Sequence, residues 1–160
     1  MKNLAKIRVV SMVLFVSAIM ISCGGGDGKS AADRIKEQAQ MAPADPYENW
    51  ESNNGIGPIK TLELPAEIDQ ALAARGQEIY EGKCTACHKA EKKFIGPSPK
   101  GILERRTAAW VMNMILNPDE MVQKDPMAKK LLIEFNGSPM ANQNLTEDEA
   151  RAVLEFFRTL

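Results

Sequence analysis

Two cysteines and a histidine stand together in the stretch Cys84-Thr85-Ala86-Cys87-His88. Cys-x-x-Cys-His is the spacing at which two thiols can be joined to the vinyl groups of one haem, with the next residue presenting an imidazole to the iron. His88 is the only histidine in the sequence, so it is the sole candidate for a nitrogen ligand of the usual kind. The motif therefore predicts one haem c, attached covalently through Cys84 and Cys87, with His88 as an iron ligand.

Two other uses of a Cys-x-x-Cys pair compete with haem attachment. A structural zinc site would need further thiolates or imidazoles, and the only other cysteine, Cys23, lies far upstream in a segment that looks like a processing signal. A redox-active pair of the thioredoxin kind wants a βαβ setting, which the surrounding sequence does not offer. The motif and its context favour haem attachment over both.

The N-terminus is typical of an exported lipoprotein. Three basic residues, Lys2, Lys6 and Arg8, precede an apolar run at 9–21. This run can enter a translocon but is short for a stable membrane span. The run ends in a sequence that resembles a bacterial lipobox, with Cys23 as the lipid acceptor. We therefore predict a lipoprotein-type signal peptide at 1–22 and lipidation of Cys23. The alternative is an uncleaved anchor with an incidental Cys23, and either reading places the rest of the chain outside the cytoplasm, tethered to a membrane.

Cysteine usage and charge disfavour a disulfide-stabilised protein and a nucleic-acid-binding protein. Lipid and haem together use all three cysteines, which leaves no thiol for a disulfide. The formal net charge is −1. Residues 23–65 hold four bases against seven acids and residues 66–160 hold thirteen against fourteen, and neither balance supports nucleic-acid binding, which requires a concentrated basic surface.

Residues 23–62 are predicted to be a flexible membrane tether. The stretch 24–30 is rich in glycine and polar residues and has little to bury. Prolines and glycines between Pro43 and Pro58 divide the later part of this segment into turns. Trp50 is the residue of the segment that could pin it to the next domain.

The domain at 63–160 is predicted to be all-α, because apolar residues recur at helical spacing and no alternating run reaches strand length. Pro65 suits the first turn of a helix that leads to the cysteine motif. Gly76 lies inside that helix, where glycine is costly, which indicates close approach by another backbone. Three further helices are expected from Thr107 to before Pro118, from Asp125-Pro126 through Phe135, and after the Thr146-x-x-Glu149 capping box.

These features together resemble a class I cytochrome c. The pattern is Gly76-x-x-Ile79-Tyr80-x-x-x-Cys84-x-x-Cys87-His88, then Gly96-Pro97, then a methionine before a terminal amphipathic helix. The resemblance covers roughly residues 66–160. It implies a class I cytochrome c-like fold of short helices around one covalently attached haem.

The resemblance also implies specific contacts. The first and last helices should cross at Gly76, with Tyr80 meeting Val153 and Phe156. The carbonyl of Pro97 should accept a hydrogen bond from the Nδ1 proton of His88. Such a bond orients the imidazole and raises its basicity as a ligand.

The second axial ligand must be chosen from nine methionines. Met140 lies on the irregular loop before the last helix, where the resembling family places its axial thioether. Met127 is the next candidate, and an open or water-bound position is the third. Met112 and Met114 are assigned to the packing of a helix. An iron with His88 and Met140 as ligands has no vacant position for a substrate, which favours an electron carrier over an enzyme.

Two features near the motif have a functional and a structural interpretation. Cations cluster around the cysteines and would either steer acidic redox partners or form an ordinary solvated surface. They are Lys83, Lys89, Lys92, Lys93, Lys100, Arg105 and Arg106. The indole N–H of Trp110 would either bond a haem propionate or belong to the core.

The leading hypothesis is a lipid-anchored, periplasm-facing, monohaem cytochrome that carries single electrons. Its donor would be a membrane quinol-oxidising complex, and its acceptor a terminal oxidase or a nitrogen-oxide reductase. Two alternatives are a fixed haem c subunit of a larger oxidoreductase complex and a haem-based ligand sensor.

Overall fold

The computed structural model describes residues 45–160, together with residues 30, 32 and 33. Ala44–Leu160 forms one unit of the chain. The predicted signal peptide, Cys23 and most of the stretch 24–44 lie outside the described residues. Within the described part, no helix is long and apolar enough to cross a membrane.

Helices and irregular loops build the domain, and residues 45–160 contain no strand, so the all-α prediction is confirmed. The α-helices of this part are α1 (Gln70–Lys83), α2 (Ala108–Leu116), α3 (Pro118–Lys124), α4 (Pro126–Glu134) and α5 (Glu147–Phe157). Short 3-10 turns span Trp50–Ser52 and Ile102–Glu104. The buried core lies among α2, α3, α4 and α5.

Side-chain caps fix the starts of three helices where the sequence predicted them. Thr107 accepts a backbone N–H at 3.1 Å at the start of α2, and Asp125 accepts one at 2.8 Å at the start of α4. Thr146 and Glu149 form the complete capping box of α5. Each cap satisfies backbone donors that the first helical turn leaves without a partner.

Two helices differ from the prediction. α1 begins at Gln70 and not at Pro65, because the carboxylate of Asp69 accepts the N–H of Leu72 at 3.0 Å and ends the preceding loop. α3 was missed altogether. Pro118 occupies its first turn, where proline is tolerated, and its seven residues are too few for a visible apolar period.

The first and last helices cross in close contact, as predicted. A Cβ atom built on Gly76 would lie 1.9 Å from the carbonyl oxygen of Ala152, so the two backbones touch directly. The ring of Tyr80 packs one turn later against Phe156 and Phe157, with centroids 5.3 and 5.7 Å away. The predicted contact between Tyr80 and Phe156 is therefore confirmed.

A buried carboxylate ties the loop before α1 to α5. Glu155 is 1% exposed and accepts the backbone N–H of Asp69 at 2.8 Å. Arg151 and Arg158 both donate to it. Burial would raise the pKa of Glu155, but hydrogen bonds from Arg151 and from Asp69 outweigh burial and lower it.

Residues 45–64, here called the strap, pack on the domain, whereas the sequence placed the domain boundary at residue 62. The amide of Asn113, which is fully buried, accepts the N–H of Ile59 at 3.0 Å and donates to the carbonyls of Asn54 and Ile59 at 2.8 Å. Polar side chains of the helices form hydrogen bonds with backbone groups of the strap, in place of the regular bonds of a helix or a sheet. Its sequence therefore shows neither a helical nor an alternating period.

We predict that Gly76→Ala lowers the free energy of unfolding by about 3 kcal/mol or prevents folding, because a methyl group would force α1 and α5 apart. Chemical denaturation of the holoprotein measures this. Gly82→Ala is the matched control in the same helix. A Cβ at Gly82 meets nothing within 4 Å, and alanine should stabilise α1 by about 0.5–1 kcal/mol. Equal effects of the two substitutions would contradict the close crossing.

Candidate functional site

A single cavity with a mostly apolar wall brings the predicted site residues together. They are Cys84, Cys87, His88, Pro97, Trp110 and Met140. The end of α1, the loop at 95–99, parts of α2, α4 and α5, and the loop at 138–145 form this wall. Among the described residues, no group of three or more His, Cys, Asp or Glu side chains could hold a metal ion by itself.

The cysteine motif is a tight turn that follows α1 directly. The N–H groups of Cys87 and His88 both donate to the carbonyl of Cys84, at 3.1 and 2.8 Å. Both thiols are free, Cys84 half-buried and Cys87 exposed. The turn therefore presents two thiols and an imidazole to one cavity.

The environment of Cys84 differs from that of a redox-active cysteine. Burial raises the pKa of its thiol, and the nearby cation of Lys83 only partly opposes this. Reactive Cys-x-x-Cys pairs instead have a lowered pKa, because the thiolate is the nucleophile. Together with the all-α fold, this disfavours a thioredoxin-like function.

The imidazole of His88 is held by a hydrogen bond and by close packing. Its Nδ1 atom lies 2.8 Å from the carbonyl oxygen of Pro97, the contact that the resemblance implied. Since a carbonyl can only accept, Nδ1 carries the proton and Nε2 keeps a lone pair for a metal. A Cβ on Gly96 would lie 2.4 Å from Cε1 of the ring, so only glycine fits beside the imidazole.

Met140 lines the cavity from the loop between α4 and α5 and is partly buried. Met127 is fully buried in the core and is not part of the cavity wall, which disfavours this second candidate for the axial ligand. Met114 does line the cavity, from α2, although the sequence assigned it only to helix packing. Of the two methionines in the cavity wall, Met140 lies on an irregular loop, whereas Met114 lies on a regular helix.

The indole N–H of Trp110 is already used inside the protein. It donates to the carboxylate of Asp125 at 3.1 Å, and Trp110 is only 3% exposed. Since indole has a single donor, no donor is left for a bond to a propionate. This favours the second interpretation, in which Trp110 belongs to the core, and Trp110 also lines the cavity.

Several of the clustered cations have partners within the domain. Arg105 donates to the carbonyls of Ser98 and Gly101 at 2.8 and 2.7 Å, and Lys100 pairs with Glu91 at 2.9 Å on the surface. Arg106 is buried. These side chains stabilise loops, so only part of the cluster is a solvated surface.

The residues of the cavity fit a haem. Apolar walls suit a porphyrin, two thiols and an imidazole with a free Nε2 stand in the spacing that attachment requires, and a thioether lines the same space. Buried Arg106 offers a cation to the carboxylate side chains that a haem carries. Sequence reasoning missed the burial of Arg106, because no local pattern shows which of several adjacent cations turns inward.

Comparisons with known proteins find cytochromes c. The family model described as cytochrome c matches residues 73–160. A structure of cytochrome c from Rhodothermus marinus is 41% identical, with 64% of this chain and 88% of that chain covered and a TM-score of 0.62. An engineered form of a cytochrome c from the same organism is 38% identical over 72% of this chain and 96% of that chain, with a TM-score of 0.63. No curated protein matches.

We predict that Gly96→Ala breaks the hydrogen bond between His88 and Pro97, because the added methyl group occupies the position of the ring. The substitution should lower the free energy of unfolding by about 1–3 kcal/mol. It should also speed solvent exchange of the Nδ1 proton, which NMR measures. Lys92→Ala, an exposed change in the same loop, is the control and should alter neither quantity. An unchanged Nδ1 proton in Gly96→Ala would contradict the packing described here.

Proposed function

The chain belongs to the cytochrome c family, and we propose that it is a membrane-tethered carrier of single electrons, with its haem attached at Cys84 and Cys87 and ligated by His88 and Met140. Members of this family bind haem covalently, and the iron supplies one-electron oxidation and reduction. The observation that carries the residue assignment is that one cavity wall contains both thiols, the imidazole and the Met140 thioether.

Each of these residues has a distinct task. Cys84 and Cys87 fix the position of the cofactor on the turn after α1. His88 presents Nε2, with its orientation set by Pro97. Met140 supplies a soft thioether, which favours the reduced state compared with a second imidazole. The apolar wall keeps water from the site and strengthens the electrostatic effect of every nearby charge.

The proposed redox partners are proteins with an acidic docking surface. Phe94 and Ile95 are about half exposed beside the cavity, and exposed Lys92 and Lys93 precede them in the same loop. An apolar centre with cations beside it favours a brief, salt-sensitive contact with an acidic surface. We propose a quinol-oxidising membrane complex as the donor and a terminal oxidase or nitrogen-oxide reductase as the acceptor.

The proposed location is the periplasmic face of a membrane, with lipid on Cys23. Because the strap belongs to the domain, we propose that the tether consists of residues 23–44 only. A flexible chain of that length has a root-mean-square span of roughly 26 Å. The domain would therefore meet partners close to the membrane surface.

We predict that Met140→Ala keeps covalent haem, lowers the reduction potential and removes the sulfur-to-iron charge-transfer absorption of the ferric protein. Met112→Leu is the control, since Met112 is buried in α2 and does not line the cavity. It should change neither the potential nor the absorption. In the same expression system, Cys87→Ala should show little haem after denaturation. A Met140→Ala protein with the absorption and potential of the wild type would refute the ligand assignment.

We predict that Cys23→Ser moves the exported protein from the membrane fraction to the soluble fraction, because the acceptor of the lipid is lost. Ser22→Ala keeps a small residue at the neighbouring position and should remain in the membrane. Fractionation with a haem stain measures both. A Cys23→Ser protein that stays in the membrane with an intact N-terminus would favour the uncleaved anchor instead.

A further inference from the structure

Arg106 is a buried cation in the wall of the haem cavity. It is 6% exposed and lies beside Trp110 in the cavity wall. Its Nη1 donates to the carbonyl of Arg105, whereas its buried Nε has no partner among the described residues. Burial lowers the pKa of its guanidinium, and the nearby charges of Asp125 and Glu134 oppose this only in part. No carboxylate of residues 45–160 forms a salt bridge with it. A buried charge of this kind is costly unless an anion compensates it.

Two aromatic rings hold the guanidinium of Arg106. Its Cζ atom lies 4.5 Å from the ring centroid of Tyr47 and 5.2 Å from that of Trp110. Contacts of this kind stabilise a cation over the face of the ring, most strongly at desolvated sites. Trp110 is fixed from within the core by Asp125, so the contact that can vary is the one with Tyr47.

Tyr47 reaches Arg106 from the strap, and two further contacts fix its place. Lys130 of α4 lies over the same ring, with Nζ 4.0 Å from the centroid. The same ammonium group pairs with the carboxylate of Asp45 at 2.7 Å. Burial, reinforced by the nearby carboxylate of Glu134, raises the pKa of the Tyr47 hydroxyl to about 12.

We propose that Tyr47 is a positioning residue that holds the charge of Arg106 in the cavity wall, and that the strap thereby raises the reduction potential of the haem. A haem carries two carboxylate side chains, the chemical class that compensates a buried guanidinium. A fixed positive charge in the wall of the cavity that would hold the iron disfavours the ferric state, which has one more positive charge than the ferrous state. This inference rests on the haem attachment proposed above but not on the identity of the redox partners.

The test measures the midpoint potential of holoprotein variants, with covalent haem assayed separately after denaturation. Arg106→Gln should lower the ratio of ferrous to ferric protein at a fixed applied potential by about three- to tenfold, equivalent to roughly 28–59 mV for a one-electron couple. Tyr47→Leu should also lower this ratio, but by a smaller factor than Arg106→Gln. Tyr47→Phe keeps the aromatic face and should retain the wild-type potential.

Two comparisons separate positioning from general destabilisation. Trp50→Leu removes another half-buried aromatic of the strap and should lower the unfolding midpoint without shifting the potential. In the Arg106→Gln background, Tyr47→Leu should produce no further shift, because its effect passes through the guanidinium. If Arg106→Gln does not fold, Tyr47→Leu against Tyr47→Phe carries the test alone.

The proposal is overturned if Arg106→Gln retains its haem and the wild-type potential. It is also overturned if the shift caused by Tyr47→Leu persists in full without Arg106, or if Tyr47→Leu and Tyr47→Phe have the same potential. Wild-type protein that lacks covalent haem would instead refute the attachment proposal, so the two failures are distinguishable.

Discussion

The direct backbone contact between α1 and α5 is the constraint on which the rest of the domain depends. At Gly76 the two helices approach so closely that no side chain fits between them. This contact fixes the position in space of the end of α1. It therefore also fixes where the turn of Cys84, Cys87 and His88 lies against the cavity. The aromatic packing of Tyr80 on α5 then closes the same corner. A small helical domain has little core of its own, so a cofactor that fills the cavity becomes part of its packing.

Buried polar side chains provide the second level of organisation. Asp125 caps α4, accepts the indole N–H of Trp110 and accepts the amide of Asn53 from the strap at 2.7 Å. Asn113 satisfies three backbone groups of the strap. Both residues therefore connect a segment without regular structure to the helices. The strap in turn places Tyr47 over Arg106, so a region that looks like a linker contributes to the electrostatics of the cavity.

Much of the fold was predictable because its signals are local. Caps at Thr107, Asp125 and Thr146 depend on side chains within one helical turn, and each was found where the sequence indicated. Helix α3 was missed, and the start of α1 was placed too early, because the apolar period is weak over these few residues. The strap was misjudged because its hydrogen bonds go to residues more than fifty positions away, which no local pattern reveals.

The sequence by itself determined the chemistry of the site: two thiols and one imidazole at a fixed spacing, a methionine on a late loop, and an all-α setting. These depend on residue types and short distances along the chain. Only the tertiary structure decided that Met127 is core and Met140 lines the cavity, that Trp110 bonds Asp125, and that Arg106 turns inward beneath Tyr47. The physical reason is that burial and the choice of hydrogen-bond partner depend on segments that meet only when the chain has folded.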